Sequence, residues 1–256
     1  MNTCLGADVE LGRNDCGKPS RWANWPTDRR CLDCARKDLI ARLPYAVGFT
    51  LDSFPRETPE LDRAWRAVSA WLDHRLDPDV EDERNLYLYG PSGTGKTGLA
   101  FACLMAELDD NGSPDFLNVP EWLTVRKRGF EAARRADLGE YDLDLPPDPY
   151  PRLDDVGLLA LDDVDATRLT PWALEEVAGL VQTRYNQLGP RHTIVTTNYS
   201  PADLAERLST RRDPHAGERI VSRLIEDAVV VEFEGVNLRL PYTSADDVRR
   251  IVEGDE

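Results

Sequence analysis

Lysine is nearly missing from this chain. Only Lys18, Lys37, Lys96 and Lys127 occur in 256 residues, so arginine carries almost all the positive charge. Bases are also few against acids, 31 to 47, leaving a formal charge of −16. So acidic a chain does not coat nucleic acid indiscriminately, because phosphate binding wants a basic face. A local basic patch is still compatible with it, and the imbalance also matches a GC-rich or halophilic composition. Long apolar runs are absent too: none approaches the ~18 residues that span a bilayer. The N-terminus, MNTCLGADVELGRNDCG, has no basic flank followed by an apolar stretch, so no secretory signal is read there. The expectation is a cytoplasmic protein with no membrane partner. Cysteine is scarce beyond the first 34 residues, where Cys103 stands alone.

What is present fits a globular chain: 41% apolar and 30% charged residues. The length allows one core of about 150–180 residues and a small appendage. Residues 1–44 contain cysteine, arginine and tryptophan with little periodicity, and 45–84 read as a linker followed by a helix. That helix starts at Thr58-Pro59, with Thr as N-cap and Pro at the first position. Leu61, Trp65, Val68, Leu72 and Leu76 continue it at helical spacing. From residue 85 to about 240 strands and helices alternate. Strands are expected at NLYLYG, DFLNV, Gly157–Leu161, His192–Thr197 and Ala228–Phe233. Helices are expected at 97–108, 120–135, 171–188 (N-cap Thr170), after the Ser200–Asp203 capping box, and at 218–227. The Asp- and Pro-rich segment 138–152 reads as a loop, and 241–256 as a tail. Five alternating strands imply an α/β fold with a parallel sheet covered on both faces.

One segment carries chemistry on its own. Gly90-Pro91-Ser92-Gly93-Thr94-Gly95-Lys96-Thr97 has two glycines bracketing four residues, then Lys and Thr. Glycines let the backbone turn its N–H groups onto phosphates. The helix that follows, through Gly98, adds its positive end. Lys96 reaches the β- and γ-phosphates in such a loop, and the Thr97 hydroxyl binds magnesium. A chance Gly-rich turn would lack the flanking strand and helix. The apolar run Leu158-Leu159-Ala160-Leu161 ends in Asp162-Asp163. Alone, that is a strand entering a solvated turn. About 65 residues after a phosphate loop, it reads as Asp162 holding magnesium and Asp163 polarising the attacking water. Asn198 ends the next strand in TTN, where its amide either contacts the γ-phosphate or begins a turn.

Together these elements resemble AAA+ ATPases of the helicase-loader type (DnaC and DnaI) and the related IstB transposition helpers. The resemblance covers about three-quarters of the chain. It is carried by FTLDSF, YLYGPSGTGKTGLA, FLNV, LLALDDV, TIVTTN, ERIVSRL and FEGVNLR. It implies a P-loop NTPase sheet in the order 5-1-4-3-2 and ATP with Mg2+ at a subunit boundary of a homo-oligomer. It also implies a slow ATPase stimulated by partner or DNA. Asn198 falls on the sensor-1 position and Arg223 on the arginine finger, with Arg219 assisting; surface salt bridges are the plain alternative for both arginines. Arg239 matches a family arginine. Asp163 departs from the Glu that many AAA+ proteins carry, and too few residues follow Arg239 for a full C-terminal lid. Implied partners are a replicative helicase and single-stranded DNA, or a transposase. A non-hydrolysing adaptor switched by ATP is the third reading.

Two further groups are candidates. Cys4, Cys16, Cys31 and Cys34 read either as a Zn2+ site or as reduced thiols, and only Cys31 and Cys34 have tight ligand spacing. DnaI-type loaders carry an N-terminal zinc module that touches the helicase. Arg126-Lys127-Arg128, with Arg134 and Arg135, gather positive charge on one expected helix, suited either to single-stranded DNA or to pairing with Glu131 and Asp137.

Overall fold

The computed structural model describes residues 7–8, 13–14, 32–43, 48–76, 85–110, 112–137, 153, 156–165, 170–186, 191–211, 213–235 and 237–239. Segments 138–152 and 241–256, and the side chains of Cys4, Cys16, Cys31 and Cys34, lie outside the described residues. Ala7–Asp8 and Arg13–Asn14 pair as a two-residue antiparallel ladder.

The main sheet has five parallel strands: β1 (Leu86–Tyr89), β2 (Pro114–Asn118), β3 (Leu158–Asp162), β4 (His192–Thr197) and β5 (Val229–Glu232). Their spatial order is β2-β3-β4-β1-β5, which is 5-1-4-3-2 read from the other edge. Helices α1 (Leu32–Arg42), α2 (Pro59–Leu76), α3 (Lys96–Asp109), α4 (Val119–Asp137), α5 (Pro171–Asn186), α6 (Pro201–Leu208) and α7 (Ala216–Ile225) complete it. Among the described residues no helix is long and apolar enough to cross a membrane.

Successive strand side chains point to opposite faces, and in β1, β3 and β4 side chains of both faces are buried. Leu86, Leu88, Leu158, Ala160 and Ile194 join α1, α2 and α3 in one core. Tyr87, Leu159, Leu161 and Val195 join α5, α6 and α7 in the other. The inner strands β1, β3 and β4 thus feed two cores, which is why β3 shows no polar alternation.

The helix starts follow local chemistry. Leu61 N–H donates to Thr58 Oγ1, Ala173 N–H to Thr170 Oγ1, and Asp203 N–H to Ser200 Oγ. Helix α1 is the element that the sequence pattern did not reveal. Asp33, Arg36, Lys37 and Asp38 dilute its apolar face, leaving Leu39, with Leu43 just past its end, as its buried anchors. Arg36 pairs with Asp109 of α3, and Arg42 with Asp115 of β2 at 2.8 Å. Here tertiary contacts, rather than amphipathic spacing, hold a helix.

Register brings the site together. Asn118 lies beside Asp162 across β2–β3, and Tyr89 beside Thr197 across β1–β4. The phosphate loop, the acid pair and the TTN end therefore share the carboxyl edge of the sheet, where open α/β sheets place their ligand crevice.

Candidate active site

The loop from Gly90 to Gly95 leaves β1 and runs into α3. Gly93 and Gly95 have φ of 85° and 94°, a region that favours glycine. Space gives a second reason. A Cβ on Gly93 would lie 1.9 Å from Asn237 Oδ1, and one on Gly95 would lie 2.7 Å from the Phe54 ring. The segment after β5 straps the loop: Leu238 N–H donates to Gly93 O at 2.8 Å, and Arg239 N–H to Asn237 Oδ1 at 3.0 Å. Thr94 Oγ1 donates to Pro91 O, closing the turn. Ser92 is exposed, and Gly98 packs against Phe49 on the first turn of α3.

Lys96 is 7% exposed, and its Nζ donates to Gly90 O and Pro91 O at 2.7 Å and to Asn198 Oδ1 at 3.4 Å. Burial lowers its pKa, and the charges of Asp165, Asp163 and Asp162 oppose that shift.

Asp162 is 2% exposed, and its Oδ1 accepts from Thr97 Oγ1 at 2.7 Å and Thr196 Oγ1 at 2.6 Å. Burial raises its pKa, and those hydroxyls partly offset the rise. A hydroxyl and a carboxylate oxygen at this separation are the hard donors that Mg2+ selects, so the residues fit that ion. Asp163 adopts φ 55° and donates its N–H to Thr196 Oγ1 at 3.2 Å. Its pKa is raised by burial and then by Asp165, with Lys96 and Arg239 pulling the other way. Lys96, Thr97, Asp162, Asp163 and Asn198 thus meet at one edge. The arrangement can hold a triphosphate and its metal beside a carboxylate that addresses water.

Three contributors escaped the sequence reading. Asp165 is buried and binds Asn198; its only signal was a third acid in LDDVDA. Thr196 links Asp162 to Asp163 through one hydroxyl and was visible merely as part of TTN. Asn237 fills the space over Gly93 from a segment without regular structure, which gives no periodic signal.

The arginines lie elsewhere. Arg219 pairs with Asp213, Nη1 to Oδ1 at 3.1 Å. Arg223 donates Nη1 to Arg219 O and lies 5.7 Å from the Tyr185 ring centroid. Both line a groove of 320 Å3 between α5 and α7, with Glu175 and Gln182. No hydrogen bond or ion pair joins them to the phosphate loop among the described residues. On α4, Arg126, Lys127 and Arg128 are exposed. Arg126 pairs with Glu176 of α5 at 2.9 Å, rather than with the acids of its own helix. Lys127, Arg134 and Arg135 line an 850 Å3 groove with Phe130, which is 60% exposed, and Trp172. No group of three or more His, Cys, Asp or Glu residues fit to hold a metal occurs among the described residues.

Known structures superpose on this core. The crystal structure of DnaI covers 76% of this chain and 93% of its own, with a TM-score of 0.58 and 22% identity. The DnaC helicase loader covers 74% and 99%, with a TM-score of 0.55 and 27% identity. The fold is that of the AAA+ helicase loaders. In sequence, this chain is 28% identical over 163 residues to the replicative helicase loader DnaI of Bacillus subtilis. It is 30% identical over 164 residues to an insertion-sequence ATP-binding protein of Sinorhizobium fredii. Each match covers 62% of this chain, but 48% and 58% of the respective relative, about half its length. The chain is thus related both to DnaI-type loaders and to IstB-like ATP-binding proteins. No family model matches it.

Proposed function

We propose that this chain binds ATP with Mg2+, hydrolyses it slowly, and helps place a replicative helicase on single-stranded DNA. One observation carries the nucleotide reading: Asp162 Oδ1 sits 2.7 Å from Thr97 Oγ1, although 65 positions separate them in the chain. Bound there, magnesium would neutralise charge on the β- and γ-phosphates. The chain's own residues do the rest. Loop amides and Lys96 hold the phosphates, Asp162 and Thr97 supply the metal's protein ligands, and Asp163 orients the attacking water. Water oxygen bonds to the γ-phosphorus as the bond to the β–γ bridging oxygen breaks, leaving ADP and phosphate. Arg223, absent from its own chain's site, serves a neighbouring subunit's phosphate, and Arg219 supports it. Lys127, Arg134, Arg135 and Phe130 in the α4 groove take the DNA strand by phosphate pairing and base stacking. Arg126 contributes less, since Glu176 holds it.

Lys96→Ala tests the foundation. Removing a charge-assisted contact should weaken ATP binding about 10–100-fold, read by fluorescent-nucleotide titration. An unchanged affinity removes the nucleotide site. Binding without turnover, even with DNA present, would instead favour the ATP-switched adaptor. The 30% identity to an insertion-sequence protein favours a second reading, assistance to a transposase. ATP-dependent capture of the host's replicative helicase, compared with capture of a transposase, separates the two.

A further inference from the structure

A buried carboxylate beside the phosphate loop has no place in the scheme above. Asp165 lies in the turn after β3 and is 4% exposed. Both its oxygens are committed to one residue. Oδ1 accepts from the Asn198 backbone N–H at 3.0 Å, and Oδ2 from Asn198 Nδ2 at 3.0 Å. The remaining amide oxygen of Asn198 then faces the Lys96 ammonium at 3.4 Å. Only one orientation of that amide satisfies both neighbours. Reversing it would set oxygen against a carboxylate and an NH2 group against an ammonium. The turn is itself fixed from below: Arg207 of α6 donates to Asp165 O at 3.4 Å and stacks over Tyr199 at 4.9 Å.

We propose that Asp165 is a positioning residue for ATP hydrolysis, locking the Asn198 amide so that its oxygen steadies Lys96 and its second N–H is free for the γ-phosphate edge. Asn198 Nδ2 carries two protons, and Asp165 accepts one. Without the clamp the amide rotates, and Lys96 loses an acceptor just where charge builds during phosphoryl transfer. Ground-state binding uses the loop amides and the Lys96 charge; Asp165 makes no hydrogen bond to either. Its loss should therefore appear in kcat, not in nucleotide affinity. This inference rests on the ATPase reading.

Two substitutions and a double-mutant cycle test it. Asp165→Asn keeps the shape and an acceptor for the backbone N–H but turns an NH2 group toward Asn198 Nδ2, favouring the reversed amide. Asp165→Ala removes the clamp. Each should lower kcat about tenfold or more while the ATP dissociation constant stays within about threefold. Asp165→Glu should not rescue, because the longer arm cannot reach both N–H groups in register. Asn198→Ala should cause a similar loss, and Asp165→Ala with Asn198→Ala should be no worse than Asn198→Ala alone. Should Asp165→Ala misfold, Asp165→Asn, which leaves no cavity, carries the same comparison. Multiplying losses in the double variant, or undiminished kcat in Asp165→Asn, overturns the role. Wild-type protein that binds ATP without turning it over defeats the ATPase reading and this role together. Active wild type with an equally active Asp165→Asn variant defeats this role alone.

Discussion

At the scale of single residues, function and stability pull Asp162 in opposite directions. Burial lifts its pKa above the ordinary carboxylate range, so the folded chain holds that proton more tightly than the unfolded chain does. A raised carboxylate destabilises the fold once pH exceeds the folded pKa, and the penalty fades as pH falls toward the unfolded value. Asp162→Asn keeps an oxygen for the Thr97 and Thr196 hydroxyls and removes the charge. Without metal or nucleotide, the variant should gain about 1 kcal/mol at pH 8, the size typical when a site's functional strain is relieved. Melting curves should show that advantage shrinking on acidification, while magnesium-dependent hydrolysis disappears. A variant that melts below wild type at pH 8 would mean that the Asp162 charge is already compensated by its neighbours.

At the scale of elements, much of the order was written in apolar runs and their punctuation. Arg184 of α5 shows what was not. It donates to Leu153 O at 2.8 Å, Val156 O at 2.9 Å, His192 O at 2.7 Å and Thr193 Oγ1 at 3.2 Å, knitting α5 to the starts of β3 and β4. Arg184→Ala should cost about 3 kcal/mol, seen as a lower denaturant midpoint, because several acceptors lose one shared donor. Arg184→Lys should recover only part, since an ammonium cannot fork across them. An Arg184→Ala midpoint within error of wild type would refute the knot. Nothing in TRYNQ distinguished this arginine from a solvated one. The five strands were legible because each is short, holds an apolar stretch and is bounded by turn residues, and Thr58, Thr170 and Ser200 announced their helices. The contacts of Lys96, Thr97 and Asp162 follow from a loop whose spacing fixes its geometry. Helix α1 stayed hidden because ion pairs, which have no period, complete its docking. Asp165 and Asn237 stayed hidden because their partners, Asn198 and Gly93, are distant in the chain.

At the scale of the whole molecule, the separation of Arg223 from its own phosphate loop becomes an argument about assembly. Nothing in the chain pairs its guanidinium with an acid among the described residues; its Nε is buried without a partner, and Tyr185 and the Arg219 carbonyl are its neighbours. A cation left so, on a groove that opens outward between α5 and α7, suits an anion brought by a second copy. Each site would then need a loop from one subunit and an arginine from the next. Lys96→Ala subunits keep the arginine but cannot grip phosphate. Arg223→Ala subunits keep the grip but offer no arginine. Either variant alone should be nearly inactive, and Arg223→Ala should bind ATP as wild type does. Mixed equally, a random assembly completes about a quarter of its interfaces, because a competent loop meets a competent arginine with that frequency. Hydrolysis should therefore return to roughly a quarter of the wild-type rate in the mixture and to none in the separate samples. If the mixture stays inactive while wild-type subunits added to either variant exchange into its assemblies, Arg223 does not act across subunits. If Arg223→Ala alone is fully active, Arg223 plays no part in the chemistry.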